Sequence, residues 1–236
     1  MKKQRFVHLT DCDDVEMGTR EVIDGKRVYV TPRGNVYPSI TSILALQEKP
    51  GLDEWKEKVG EEEATKIMKE SAALGTKVHD LCERYLYNEK LQCNDEEAIS
   101  VFNRLRFILG NINNIYCLEA PLHSDMLRVA GTVDCVAEYN GVLSVIDFKT
   151  SRKTKREDWI EDYFIQAFFY SAAFFEMTGA LPEQIVILIA VRDSFEVQVF
   201  KKPLREMDKY IDKLIQIMKK NPSVLQQHTR ETQNGK

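Results

Sequence analysis

The sequence predicts an α/β fold, a mixed central β-sheet flanked by α-helices and preceded by an N-terminal helical region. Three observations predict it. From residue 52 to about 109 the apolar residues recur with helical period. From 115 to 150 the chain changes to three strand-like stretches punctuated by turn residues. Beyond 150 a helical stretch, two strand-length runs and a last helix follow, the order of a sheet covered on both faces.

In chain order, residues around 20–37 read as a small hairpin turning at Asp24-Gly25, between Arg20-Glu-Val-Ile and Lys26-Arg-Val-Tyr-Val30. Pro38 leads into Ser39-Ile-Thr-Ser-Ile-Leu44, a capped helix start. Two helices are expected between Leu52 and about Asn88 with a break near Gly75, and the run Glu61-Glu-Glu63 reads as a solvated face. Another helix covers Asp95 to Leu109, and strands follow at 115–123, 127–139 and 142–150. A helix over Trp159–Thr178 supplies Phe164, Phe168, Phe169 and Phe175 to the core. Strands at Gln184–Arg192 and Phe195–Lys201 precede a last helix, Leu204–Lys219. Residues 1–220 are taken as one domain, with a hairpin and helical part over 1–114 and a core over 115–220. Residues 221–236 read as a disordered tail.

Composition narrows the class. With 43% hydrophobic and 30% charged residues in 236, the chain reads as an ordinary globular protein. Its longest apolar run, Gln184–Val191, has strand length and is too short for a bilayer, so no membrane association is expected. Met1-Lys-Lys-Gln-Arg-Phe has no apolar core, and Asp11, Asp13, Asp14 and Glu16 follow, which predicts no targeting segment and an intracellular, cytoplasmic place. Five cysteines without CxxC spacing read as reduced thiols. A net charge of −4 does not advertise a nucleic-acid binder, but a local basic groove serves beside acidic site residues.

The chemistry concentrates in Gly131-Thr-Val-Asp-Cys-Val-Ala-Glu-Tyr-Asn-Gly-Val-Leu-Ser-Val-Ile-Asp-Phe-Lys149. Asn140-Gly141 is the strongest short hairpin signal. Facing residues of a hairpin have numbers of constant sum, and Asp134 with Asp147 matches Asn140 with Gly141. The two carboxylates therefore face each other, with Cβ atoms roughly 4.5–5.5 Å apart. Lys149, two residues beyond Asp147, lies on the same face. Facing like charges need an offset: a shared proton, Lys149, or a divalent cation. Carboxylates with open positions suit Mg²⁺ or Mn²⁺, which polarises a phosphoryl oxygen and activates water while an ammonium stabilises developing charge. Apolar neighbours on both faces argue for a covered strand pair, with Val136 facing Val145 on the Asp face and Val133, Cys135, Ala137, Ile146 and Phe148 opposite.

Other residues stay open between two readings. Lys149-Thr-Ser-Arg-Lys-Thr-Lys-Arg156 holds five cations in eight residues, so Arg152, Lys153, Lys155 and Arg156 either guide a phosphate backbone or form a solvated loop. Gln166 and Tyr170 share a helix face, to reach a phosphate or as a rim amide and a buried phenol. His79, one helical turn before Glu83 and preceded by Gly75 allowing close approach, is a ligand or a structural histidine. Ser39, Thr41 and Ser42 bind phosphate or cap a helix. Glu119 is a further carboxylate near the metal or an exposed strand residue.

Gly-Thr-Lys-Val-His79, Gly131-Thr-Val-Asp134, Ile-Asp147-Phe-Lys149-Thr and Gln166-Ala-Phe-Phe-Tyr170 together resemble the PD-(D/E)XK nuclease superfamily in its RecB-like exonuclease branch. The Pro38–Leu44 segment is similar to an N-terminal motif of mitochondrial and phage members, and the resemblance spans about residues 36–200. It implies a restriction-endonuclease-like sheet. It also implies metal ligation by Asp134, Asp147 and His79, catalysis by Lys149, and orientation of DNA and site by Gln166 and Tyr170. Iron–sulfur members of the branch carry a C-terminal cysteine group; none follows Cys135 here, so no iron–sulfur cluster is expected. The implied protein is a stand-alone metal-dependent DNA exonuclease acting on single strands or strand ends, phage-encoded in one reading. Replication or recombination proteins are its expected partners. A structure-specific or sequence-specific endonuclease, or a non-catalytic DNA-binding assembly protein, are the alternatives.

Overall fold

In the computed structural model, which describes residues 5–9, 12, 15–23, 25–48 and 50–223, alternating strand residues first make a small antiparallel sheet. It comprises β1 (Thr19–Ile23), β2 (Lys26–Val30) and β3 (Val36–Pro38). Gly25 takes φ +73°, as the turn between β1 and β2 requires, while Asp24 lies outside the described residues. Ser39 then opens α1 (Ile40–Leu44), but its side chain makes no cap bond to the backbone; its Oγ instead lies 2.7 Å from Thr41 Oγ1.

α2 (Pro50–Val59) and α3 (Glu61–Leu86) are separated at Gly60, with φ +86°, and not near Gly75. Gly75 lies inside α3, where a glycine costs only about 1 kcal/mol. Leu74, Val78, Leu81 and Leu86 bury the helix on either side of it, which outweighs that cost. Glu61, Glu62 and Glu63 fill the first turn of α3, where the helix dipole favours acids. α4 (Glu96–Leu109) begins at Asp95, whose carboxylate accepts the Ala98 amide hydrogen at 3.0 Å.

The main sheet has the order β4 (Ile112–Ser124), β5 (Val129–Tyr139), β6 (Val142–Ser151), β7 (Gln184–Val191), β8 (Val197–Pro203). Only β6 and β7 run parallel among these neighbours, joined by the crossover helix α5 (Glu161–Thr178). α6 (Met207–Lys220) closes the described fold, and of the expected tail residues 224–236 lie outside the described residues. β7 is buried along nearly its whole length, as its unbroken Ile-Val-Ile-Leu-Ile-Ala-Val implies. On one face Val78, Phe102 and Leu105 of α3 and α4 meet Cys135, Ile146, Phe148 and Leu188. On the other, Phe164, Phe168 and Leu214 of α5 and α6 meet Val136, Val145 and Ile187.

Residues 164–171, Ala173 and Phe174 of α5 are buried, which leaves a narrow stripe toward solvent. Phe175 falls on that stripe at 47% exposure, and Phe174 takes the expected core place beside Phe164, Phe168 and Phe169. Among the described residues no helix is long and apolar enough to cross a membrane.

Candidate active site

The Asn140-Gly141 turn, with φ +53° and +78°, sets the β5–β6 register. Cys135 faces Ile146 and Val136 faces Val145, and that register carried one step beyond its last pair sets Asp134 against Asp147. On the other side of β5, Leu118 faces Cys135 and Ala120 faces Val133, so Glu119 also lies opposite Asp134. A row of three carboxylates thus crosses β4, β5 and β6.

Backbone irregularity makes room for this row. Glu119 takes φ +44°, uncommon for a residue with a Cβ. Leu118 packs with α3 and α4, whereas Ala120, two residues on, packs with α5. Val133 and Cys135 divide in the same way, so Val133 lies on the α5 side and not on the Cys135 face expected from strict alternation. Asp134 and Glu119 sit where both strands change faces. Asp134 Oδ2 accepts the Phe148 amide hydrogen at 2.7 Å, and His79 Nδ1 of α3 lies 3.5 Å from the same oxygen and 3.9 Å from Glu119 Oε1.

Asp147 is 1% exposed, and Lys149 Nζ lies 2.6 Å from each of its oxygens. The geometry of a hydrogen bond is met at Oδ1 alone, which leaves Oδ2 buried without a hydrogen-bond partner. Burial pushes the Asp147 carboxyl up to about 6; Asp134 adds to this and Lys149 opposes it. Burial by itself would lower Lys149, but Asp147 and Asp134 outweigh it and raise the ammonium to about 12. His79 behaves likewise: burial lowers it, while Asp134 and Glu119 prevail and bring it up to about 9.

α5 supplies the facing wall. Gln166 and Tyr170 are both buried, Gln166 Nε2 donates to the Tyr170 hydroxyl at 3.3 Å, and burial drives that phenol well above its ordinary range. Gly131 lets Tyr170 approach: a Cβ there would lie 2.8 Å from the Tyr170 hydroxyl oxygen and 2.8 Å from Ile40 Cγ2. Gly75 has a weaker part than expected, since a Cβ there would meet only Thr150 Oγ1, at an ordinary 3.6 Å.

These groups border one open cavity of about 380 Å³, lined by His79, Glu119, Asp134, Lys149, Gln166, Tyr170, Ser39 and Thr41 among others. Ser42 is exposed and does not line it. Arg152, Lys153, Lys155 and Arg156 do not line it either. Arg152 Nε lies 3.5 Å from Asp193, and Arg156 makes two bonds of 2.9 Å to Asp158, so nearby acids draw two of the loop's four cations. The cavity's further cations are Arg20 and Arg27, from the hairpin. Their signal in the sequence was only a pair of arginines flanking a turn.

The donor set fits a divalent cation. Ligand atoms of His79, Glu119 and Asp134 lie within 4.8 Å of one another, while Asp147 stands outside that group with its Oδ2 2.6 Å from Lys149 Nζ. Glu119, left open by the sequence, belongs to this cluster, and Asp147 is held principally by Lys149.

Known proteins are similar to part of this chain. Mitochondrial genome maintenance exonuclease 1 of Mus musculus is 32% identical over 131 residues, 51% of this chain and 39% of that protein. The Homo sapiens protein of the same name is 32% identical over 132 residues, 51% of this chain and 38% of that protein. The chain thus spans about two-fifths of the length of these relatives. Among solved structures, "Crystal structure of SSO0001" is similar over 74% of each chain at 15% identity, with a TM-score of 0.35. The model of the PD-(D/E)XK nuclease superfamily matches residues 42–235, a range that holds the carboxylate row, Lys149 and the α5 wall, and the chain belongs to that superfamily.

Proposed function

We propose that the chain is an Mg²⁺- or Mn²⁺-dependent exonuclease that hydrolyses phosphodiester bonds of single-stranded DNA or DNA ends, in replication, recombination or repair. The observation that carries the proposal is the pair Glu119 and Asp134 beside a charged Lys149 in one open cavity, with Asp147 buried behind the lysine. Superfamily membership supports a nuclease, and the names of the mouse and human relatives support exonucleolytic action.

Asp134, Glu119, His79 and Asp147 would hold the cation, which when bound polarises the phosphoryl oxygen and makes water a stronger nucleophile. Lys149 stays an ammonium at neutral pH, so it acts as a donor to the phosphate and not as a base. Asp147 fixes that ammonium in place, because both its oxygens lie 2.6 Å from Nζ. Gln166 donates to the Tyr170 oxygen, which leaves the phenolic hydrogen for an acceptor on the substrate.

Digestion of 5′- and 3′-labelled single- and double-stranded oligonucleotides, beside a circular single strand, tests the reading. With Mg²⁺ or Mn²⁺ the expected products are short ends from linear strands, an intact circle, and no product in EDTA. Cutting of the circle at the linear rate overturns exonuclease action, and full activity in EDTA overturns metal dependence.

A further inference from the structure

Arg20 and Arg27 border the cavity of the carboxylate row but do not take part in the chemistry derived above. Both are exposed, and among the described residues neither is in an ion pair, in contrast to Arg152 and Arg156. Arg20 faces Tyr29 and Val22 faces Arg27 across the β1–β2 ladder, so all four share one face of the hairpin. Arg20 and Arg27 are diagonal neighbours there, roughly 7–8 Å apart with Cβ atoms somewhat closer, comparable to the spacing of adjacent phosphates on an extended strand.

That face is pinned to the catalytic strand. Tyr29 Oη lies 3.0 Å from Thr132 Oγ1, two residues before Asp134, and Ser39 bridges to Ala130. The strand positions of both arginines are therefore set relative to the row, while among the described residues their guanidinium groups make no ion pair. A row of carboxylates repels a polyanion, and two guanidinium groups at its rim, unpaired among the described residues, offset this.

We propose that Arg20 and Arg27 form a two-phosphate clamp that positions a polynucleotide strand across the cavity, next to the bond to be cut. This rests on the nuclease reading, and it assigns the hairpin a role in setting where the strand lies.

The test is binding of a labelled deoxythymidine oligonucleotide to the intact chain in EDTA over a series of salt concentrations, then steady-state cleavage with Mn²⁺. Arg20→Gln with Arg27→Gln is expected to reduce the slope of log affinity against log salt by about 1.4, about 0.7 per lost contact with a single strand. KM should rise at least tenfold while kcat changes much less. Arg20→Lys with Arg27→Lys should keep the slope, because the slope counts charges, and Lys219→Gln on α6 should leave it at the wild-type value. An unchanged slope in the double glutamine variant, or a lost slope in the double lysine variant, overturns the clamp. Wild-type protein that neither binds nor cleaves the oligonucleotide overturns the nuclease reading beneath it. Wild-type binding and cleavage that persist undiminished in the glutamine variant overturn the clamp alone.

Discussion

Asp134 Oδ2 accepts the Phe148 amide hydrogen at 2.7 Å, and a side chain thereby stands in a ladder position that a main-chain carbonyl normally fills. The regular β5–β6 register extends from the turn only to Cys135 and Ile146. One carboxylate thus both belongs to the candidate metal cluster and holds the strand that carries Asp147 and Lys149.

Asp134→Ala and Asp134→Asn should separate these two parts. The alanine leaves the buried Phe148 amide without its acceptor, for a loss of about 1–3 kcal/mol, while asparagine keeps an oxygen there. Denaturant melts should show the alanine variant less stable than the asparagine one, with cleavage lost in both. Equal stability would show that Phe148 finds another partner.

Lys149→Ala should lower kcat by about 10²–10³, the scale of removing one donor to a developing anion. It also leaves Asp147 buried without its cation, at roughly 3–5 kcal/mol near pH 8. Because burial already raises the Asp147 carboxyl to about 6, protonation removes that charge in mild acid. The stability deficit of the variant, read from melts at pH 5 and pH 8, should therefore shrink at pH 5. A deficit independent of pH would place its origin in packing.

Gly131→Ala drives a Cβ to 2.8 Å from the Tyr170 hydroxyl oxygen and from Ile40 Cγ2. Both neighbours are buried, and forcing them apart costs about 1–3 kcal/mol. Adding Tyr170→Phe removes the hydroxyl and should recover part of the lost stability without recovering activity. Thermal melts of the single and double variants check this; no recovery would mean that Ile40 carries the strain.

Metal-free protein should lose stability as the pH rises. Asp147 holds a proton up to about 6 that an unfolded aspartic acid releases near 3.9, so its contribution fades between those values. His79, raised to about 9, stabilises fully below about 6.5, and that contribution is lost as pH rises through 9. Mg²⁺ or Mn²⁺ competes with these protons, so the rise in Tm on adding metal should be larger at pH 8 than at pH 5.5. His79→Asn should flatten the decline between pH 6.5 and 9, and an unaltered profile would remove His79 from it.

Much of this site is local and so is legible in the sequence. The register that brings Asp134 toward Asp147 follows from one two-residue turn as far as Cys135 and Ile146, and the approach of Gln166 to Tyr170 from helical spacing. The pairing of Arg156 with Asp158, two residues away, is equally local. Glu119 was harder. Its register passes irregularities at Asn113, Ile115 and Cys117 and a left-handed residue at Glu119 itself, which periodicity does not foresee.

The sequence by itself determined the order of helices and strands, the hairpin register and the Asp134, Asp147, Lys149 set, because turns and side-chain periods are properties of neighbouring residues. Only the tertiary structure decided that Glu119 completes the row and that Asp193 draws Arg152 away from it. It alone also brought Arg20 and Arg27, more than a hundred residues before Asp134, to the cavity rim. Those placements depend on how separate elements pack and on where backbone irregularities turn a strand over, and neither is encoded within a local stretch of chain.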